Sequence, residues 1–236
     1  YKCVKKILHF PKSFINISKY DNIFMFKGGI VRMNKKIILL FLTLMVLTFA
    51  SATSILAVEF SDLSKDHWAY ENITTLANKG IINGYPDGTY LPENSVTRGE
   101  FLKLVMTTLY DGDEYFKDLG LDFIHWAAPY AFEAMNNNYL MDGTDATGLD
   151  NNITRLEMAC ILSNICLDND ISSNEAGAHM INFSDIDELS IANKNAIIYS
   201  NINGLVNGYP DGTFGPNKTM TRAEVATVIY RFMNMM

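Results

Sequence analysis

The chain has 236 residues, of which 48% are hydrophobic and 19% charged. This composition is typical of folded domains and unlike that of a disordered chain or a multispan membrane protein. The net charge of −7 is divided unevenly, because residues 1–57 hold nine basic and one acidic side chain, whereas residues 58–236 hold ten basic and twenty-five acidic ones. So acidic a segment lacks the basic face that nucleic-acid binding requires, and we expect no nucleic-acid partner.

Residues 1–32 begin with Tyr1 and show no sustained periodicity. We interpret them as an extension that is not translated in the cell. Lys27-Gly28-Gly29 back-translates to a purine-rich run compatible with a bacterial ribosome-binding site, and Met33 follows at a suitable spacing. A genuine cytoplasmic extension is the alternative.

Residues 33–57 have the pattern of a secretory signal peptide. A short basic segment follows Met33, and residues 37–58 carry no charge. A basic start, an apolar run and small residues near the cleavage point are typical of such signals, and Ala52 and Ala57 are the two candidate cleavage positions. A retained transmembrane helix is the alternative, since about 20 apolar residues can span a bilayer. We expect membrane contact only through the uncleaved signal.

The remaining chain contains three repeats, which we place at 58–112, 113–170 and 171–236. Each opens with Phe-x-Asp and later carries Thr-Arg-x-Glu, and the first two also share His-Trp-Ala. The loop sequence Gly-Tyr-Pro-Asp-Gly-Thr begins at Gly84 and again at Gly208. We call Phe-x-Asp the triplet and Thr-Arg-x-Glu the box of each repeat. The aspartates of the triplets are Asp62, Asp118 and Asp185, and the arginines of the boxes are Arg98, Arg155 and Arg222.

Each repeat predicts a helix, a loop and a second helix. In the first repeat Ile73 and Leu76 share one helical face, and Gly80 has the place of a helix-terminating glycine. Thr97 with Glu100 forms a capping box, and the same spacing recurs in the other repeats. A unit of about 55 residues buries too little apolar surface to be stable alone. We therefore predict an all-α fold with three helix–loop–helix repeats packed around one axis.

Cysteine usage excludes a fold stapled by disulfides, since only three cysteines are present. Cys160 and Cys166 lie six positions apart in one predicted helix. At ~100° per residue they point about 240° apart around its axis, so they cannot bridge each other. We predict that both are buried.

The three arginines of the boxes occupy the first position of predicted helices. There the backbone N–H groups lack intrahelical partners and the helix dipole is positive, so a repeated cation needs an explanation. An arginine fork beside free N–H groups would form a carboxylate or phosphate site. An ion pair with Asp62, Asp118 or Asp185 is the alternative, and the residues alone leave both open.

These motifs resemble the S-layer homology family, whose marks are the Phe-x-Asp start, the His-Trp-Ala helix, the Gly-Tyr-x-Asp-Gly-Thr loop and the Thr-Arg-Ala-Glu box. The resemblance covers residues 59–234. It implies a spindle of three prongs around a central three-helix bundle, with grooves between neighbouring prongs. It also implies noncovalent anchoring of a secreted protein to the bacterial cell wall or surface layer. The implied partner is pyruvylated secondary cell-wall polysaccharide, with peptidoglycan as an alternative.

The resemblance also suggests roles for individual residues. A pyruvate ketal presents a carboxylate that suits an arginine fork. We expect the aspartates to orient the arginines, with sugar hydroxyls as their alternative partners. Gly84 and Gly208 would admit a ligand close to the backbone or simply satisfy turn geometry. The aromatic candidates are Trp68 and Trp126, preferably core anchors and otherwise sugar-facing, and Tyr85 and Tyr209 as groove walls.

Two repeats depart from the pattern, so we expect unequal sites. The second replaces the loop with residues 141–148, apparently one residue shorter, and has Leu156 beside its arginine. The third has Ile191 where tryptophan is expected. We predict that Arg98 and Arg222 are the stronger site residues and Arg155 the weaker.

Residues 58–236 contain no catalytic triad order, zinc-binding helix, phosphate loop or EF-hand motif. We expect no enzymatic activity, no cofactor and no metal, and we expect His67 and His125 to cap or pack helix starts. A self-assembling surface-layer component and a fragment of a larger wall-attached enzyme are the alternatives.

Overall fold

A computed structural model describes residues 23–26, 29–32, 58–117, 125–172 and 182–236. The chain divides into two compact units, residues 1–56 and 57–236. In the first, Ile23–Phe26 (β1) and Gly29–Arg32 (β2) pair as an antiparallel hairpin. Strands of four residues are too short to produce a sustained period, which is why the sequence did not indicate them. The predicted signal peptide lies outside the described residues.

The described part of the second unit contains seven helices and confirms the all-α prediction. None of the helices in the described ranges is both long and apolar enough to cross a membrane. The helices are Tyr70–Asn78 (α1), Arg98–Leu109 (α2), Glu114–Lys117 (α3), Ala128–Asn136 (α4), Arg155–Asp168 (α5), Ile191–Ile202 (α6) and Arg222–Met235 (α7).

The second helices of the repeats, α2, α5 and α7, begin at the three arginines as predicted. The first and third repeats form the complete capping box, Thr97 with Glu100 and Thr221 with Glu224. In the second repeat only half of the box is present. Thr154 accepts a hydrogen bond from the N–H of Glu157, but the Glu157 carboxylate turns to Arg98 instead of the Thr154 backbone.

A closed ring of backbone hydrogen bonds joins the three repeats. The N–H of Val96 donates to the carbonyl of Met220, that of Ile153 to Val96, and that of Met220 to Ile153, at 3.0, 3.0 and 3.1 Å. All three side chains are buried. Because each bond links a different pair of repeats, the ring requires all three, which agrees with the prediction of one shared axis.

The first helix of each repeat packs on the second helix of the preceding repeat in cyclic order. Thus α4 packs on α2, α6 on α5, and α1 on α7. At the α2–α4 contact, a Cβ added to Gly99 would lie only 2.8 Å from the Cβ of Ala127, so this close approach requires glycine. Cys160 and Cys166 are free and buried in α5, as predicted. Burial raises the pKa of each thiol to about 12.

Candidate functional site

The backbone N–H groups at the start of each second helix are already bonded. The N–H groups of Arg98 and Gly99 donate to the carbonyls of Asn151 and Leu149, each at 2.8 Å. The first two N–H groups of α5 and α7 make equivalent bonds to the following repeat, at 2.8 to 3.0 Å. The third N–H group of each of these helices donates to the hydroxyl oxygen of the capping threonine. Of the two alternatives that the sequence left open, an anion site built on free helix N–H groups is therefore wrong, and only the guanidinium groups remain for an anion.

Arg222 extends from the third repeat into the loop of the first. Its Nε donates to the carbonyl of Tyr90 at 2.8 Å and its Nη2 to that of Asn83 at 3.0 Å. The guanidinium carbon lies 5.0 Å from the ring centroid of Tyr85 and 4.5 Å from that of Tyr90, within cation–π range. Its Nη1 has no hydrogen-bond partner among the described residues, so both N–H groups of that nitrogen are left for an anion.

Arg155 repeats this arrangement toward the loop of the third repeat. Its Nε donates to the carbonyl of Phe214 at 2.9 Å and its Nη2 to that of Asn207 at 2.7 Å. The ring centroids of Tyr209 and Phe214 lie 4.7 and 5.1 Å from the guanidinium carbon. Arg155 is buried, and its Nη1 lies 3.7 Å from the carboxylate of Glu224.

Arg98 is held differently, in the loop of the second repeat. Its Nη1 donates to the carbonyl of Thr147 at 2.6 Å, and its Nε pairs with the carboxylate of Glu157. These two side chains are only 15% and 6% exposed. When the loops are aligned on their shared Asp-x-Thr turn, the two aromatic positions become Gly143 and Gly148. Arg98 therefore has a carboxylate partner and no aromatic face from these two positions.

Each arginine thus contacts the loop of the repeat that follows it in cyclic order. The expectation that Arg155 is the weaker site followed from placing the divergent second-repeat loop beside it. The structure places that loop beside Arg98, whereas Arg155 contacts the intact loop of the third repeat. The geometric basis for preferring Arg98 over Arg155 is therefore wrong.

The aspartates of the Phe-x-Asp triplets hold the loop backbone. The carboxylate of Asp62 accepts hydrogen bonds from the N–H groups of Tyr90 and Leu91, both at 2.7 Å. Asp185 makes the equivalent pair of bonds in the third repeat, at 2.7 and 2.8 Å. Both oxygens therefore serve backbone N–H groups and orient the arginines only through the loop, without the direct ion pairs considered above. Asp118 lies outside the described residues.

Gly84 and Gly208 are glycine because a phenylalanine packs against them. A Cβ added at either position would overlap the ring of Phe60 or Phe183. The backbone of these two glycines is not in the positive-φ region, so turn geometry does not require glycine. Neither of the two roles expected for these glycines is needed, since packing of the triplet phenylalanine on the loop accounts for them.

All three loops share one turn, in which an aspartate accepts hydrogen bonds from the hydroxyl and N–H of the threonine two positions later. These bonds favour the ionised carboxyl and hold the pKa of each aspartate below its ordinary value. The divergence of the second repeat therefore lies in the side chains around this turn and not in the turn itself. The aspartates are Asp87, Asp145 and Asp211.

His67 and His125 lie just before the first helices of their repeats, where we expected them to cap or pack the helix starts, but neither side chain caps α1 or α4 itself. Their Nδ1 atoms accept hydrogen bonds from the N–H groups of Ala69 and Ala127, at 3.2 and 3.1 Å. Within the ranges that the structure describes, no group of three His, Cys, Asp or Glu side chains is arranged to hold a metal ion.

Trp68 and Trp126 follow these histidines and are exposed to solvent, with relative accessibilities of 61% and 53%. Their preferred interpretation as core anchors is therefore wrong. A buried alanine, Ala69 or Ala127, follows each tryptophan and takes the core position instead. Both indole rings are accessible to a ligand.

Two cavities combine an arginine, an intact loop and a tryptophan, each group from a different repeat. The Arg222 groove, of about 170 Å³, is lined by Arg222, Asn83, Tyr90, Glu100, Lys103 and Trp126 among others. The Arg155 groove, of about 180 Å³, is lined by Arg155, Asn207, Tyr209, Glu224, Arg231 and Trp68 among others. The arginine, loop and tryptophan side chains that the sequence offered as binding candidates thus meet at the boundaries between repeats.

The third repeat supplies no tryptophan for the equivalent place beside Arg98. Counting back from the glycine that ends the first helix, Gly80 or Gly204, the position of Trp68 falls on Ala192. The expected equivalence with Ile191 is off by one residue, because the third repeat has one residue more between Phe183 and this position than the first repeat has between Phe60 and Trp68. The third repeat therefore lacks an aromatic side chain at this position, as the sequence predicts.

Comparison with known proteins agrees with this architecture. Residues 59–102 and 182–226 match the S-layer homology domain, and the middle repeat lies between them. The chain belongs to the S-layer homology family. It is 32% identical over 177 residues to the exoglucanase XynX of Acetivibrio thermocellus, covering 74% of this chain and 16% of that protein.

Two further relatives carry the same kind of repeat. The cellulosome-anchoring protein of Acetivibrio thermocellus is 44% identical over 85 residues, which cover 36% of this chain and 18% of the relative. The outer membrane protein SlpA of Thermus thermophilus is 33% identical over 115 residues, or 46% and 12% of the two chains. This chain thus spans less than a fifth of each relative. S-layer homology domains anchor proteins to the cell surface, and a cell-surface location is consistent with these matches.

Proposed function

We propose that these S-layer homology repeats anchor a secreted protein to the cell wall by binding pyruvylated secondary cell-wall polysaccharide in the Arg222 and Arg155 grooves. We further propose that Arg98 is an internal clamp and that the repeats have no catalytic activity of their own. The observation that carries the proposal is the meeting of an arginine, aromatic faces and an exposed tryptophan from three different repeats in each groove.

The two grooves suit both parts of a pyruvylated sugar. The planar guanidinium offers paired donors to the pyruvate carboxylate, and Nη1 of Arg222 has both of its donors available. The exposed face of Trp68 or Trp126 offers apolar surface to the sugar ring. Because the groups come from different repeats, binding requires the assembled spindle.

The acidic surface is compatible with an acidic polymer. Repulsion between exposed charges is screened beyond about 8 Å at physiological ionic strength. An arginine in a groove can therefore bind a carboxylate locally, while the surrounding negative charge suppresses nonspecific adhesion. The match to an exoglucanase over 16% of its length supports a separable binding role for such repeats.

Cosedimentation with cell-wall sacculi, before and after chemical removal of the polysaccharide, tests the proposal. The Trp68→Ala/Trp126→Ala variant should stay folded because both side chains are exposed. We expect wild-type binding to disappear with the polymer, and the variant to bind at least 30-fold more weakly, roughly the 2 kcal/mol of an aromatic hot spot. Leu167→Ala, which removes another exposed apolar side chain, should bind as wild type.

Binding that survives removal of the polymer would identify peptidoglycan as the partner instead. Undiminished binding by the tryptophan variant would show that the grooves are not the binding sites.

A further inference from the structure

One face of α7 forms a wall of the Arg155 groove over two full turns. Glu224, Thr227, Val228 and Arg231 all line the cavity. Their spacing of three, four and seven residues places them in one stripe along the helix. Glu224 lies next to the Arg155 guanidinium, and Arg231 lies seven residues further on, about 10 Å along the axis.

Arg231 is a partly buried cation that has no counter-charge among the residues that the structure describes. Its Nη1 donates to the carbonyl of Leu205 at 3.0 Å. Across the described ranges no carboxylate lies within ion-pairing distance of it, and burial lowers its pKa. A charge taken out of water without a partner is unfavourable, and an anion bound beside it would relieve that cost.

The cation at this position is specific to the Arg155 groove. The equivalent residues of the other second helices are Thr107 and Asn164. The Arg222 groove also contains an additional cation, Lys103, but that residue lies one helical turn nearer the helix start, where α7 has Thr227. The two grooves therefore present their second positive charge at different distances from the arginine of the box.

We propose that Arg231 forms a second anion-binding position in the Arg155 groove and contacts an acidic group on the sugar unit next to the one held by Arg155. This inference rests on the proposed function, since it takes the first carboxylate to be bound at Arg155. Along α7 the backbone of Arg231 lies about 10 Å beyond that of Glu224, the residue beside Arg155, so Arg231 enters the groove two helical turns beyond the residue that faces Arg155. The groove thus binds two neighbouring acidic units of a polymer, one at Arg155 and one at Arg231. Arg231 therefore contributes nothing to the binding of a single unit.

Calorimetric titration of the full chain with two probes tests this role. The probes are a single pyruvylated sugar and an acidic oligosaccharide of several such units. The variant is Arg231→Gln, because the glutamine amide can still donate to Leu205 but carries no charge. The control is Lys117→Gln, which removes an exposed lysine outside both grooves. A Trp126→Ala background weakens the Arg222 groove so that the Arg155 groove dominates the signal.

We expect Arg231→Gln to bind the single sugar within twofold of its parent and the oligosaccharide about tenfold more weakly, with a smaller dependence on salt. Lys117→Gln should match its parent with both probes. Unchanged oligosaccharide binding, or an equal loss with both probes, would overturn the inference while leaving the proposed function intact. A parent protein that binds neither probe would refute the proposed function itself.

Discussion

The surroundings of Arg98 and Arg155 are built from the same motif but have different chemistry. Both arginines begin a helix after a capping threonine, and both donate to a carbonyl in the loop of the following repeat. Both also have a carboxylate partner, Glu224 at 3.7 Å from Nη1 of Arg155 and Glu157 paired directly with Nε of Arg98. Arg155 lies against the rings of Tyr209 and Phe214, whereas Arg98 has glycines at the corresponding positions. The box arginine therefore joins neighbouring repeats in every case, and the aromatic loop residues distinguish the surroundings of Arg155 from those of Arg98.

The glutamate of the box shows how the clamp arises. In the first and third repeats its carboxylate caps its own helix. In the second repeat the Glu157 carboxylate does not make that bond and forms an ion pair with Arg98 instead. Under the proposed function, the loss of the aromatic faces and the gain of an internal carboxylate together account for Arg98 joining two repeats instead of binding a ligand.

Among substitutions that distinguish the surroundings of Arg98 from those of Arg155, we expect Arg98→Ala to cause the largest loss of unfolding free energy. This change leaves Glu157 buried without a counter-charge, which typically costs about 3–5 kcal/mol. Denaturant unfolding should show this loss of stability, while the folded fraction still binds the wall polymer. The control is the double variant Arg98→Met/Glu157→Leu, which removes both charges and should recover most of the loss. A loss below about 1 kcal/mol for Arg98→Ala would exclude a clamp.

A smaller effect is expected from the glycine that precedes the shared turn in the first and third repeats. Gly208→Ala forces a methyl group into the ring of Phe183 and should cost about 3 kcal/mol in thermal or denaturant unfolding. The second repeat has the exposed Asp142 at this position. Asp142→Ala should therefore change stability by no more than about 0.5 kcal/mol. Equal costs for the two substitutions would show that the loops of the second and third repeats pack alike.

Much of the fold follows from the sequence because its signals are local. Capping threonines, turn glycines and the helical apolar period fix where helices begin, and their repetition predicts three units around an axis. The pairing of Arg98 with the loop of the next repeat could not be predicted in the same way. It depends on contacts between residues 49 positions apart, which no local pattern encodes.

The candidate site was only partly predictable for the same reason. Arg222, Arg155 and the loop tyrosines were identified as binding residues, and the structure brings them together. The hydrogen bonds of the helix-start N–H groups and the exposure of Trp68 and Trp126 both depend on how neighbouring repeats meet, so the sequence did not predict them. One available signal was the replacement of both loop aromatics by Gly143 and Gly148, which marks Arg98, and not Arg155, once the cyclic order is known.

The central claim is that two grooves bind the polymer and that the third arginine joins repeats. Calorimetric stoichiometry with a single pyruvylated sugar tests it most directly. We predict two sites per chain, both retained in the Arg98→Met/Glu157→Leu variant. Three sites, or the loss of a site in that variant, would contradict the assignment of Arg98 as a clamp.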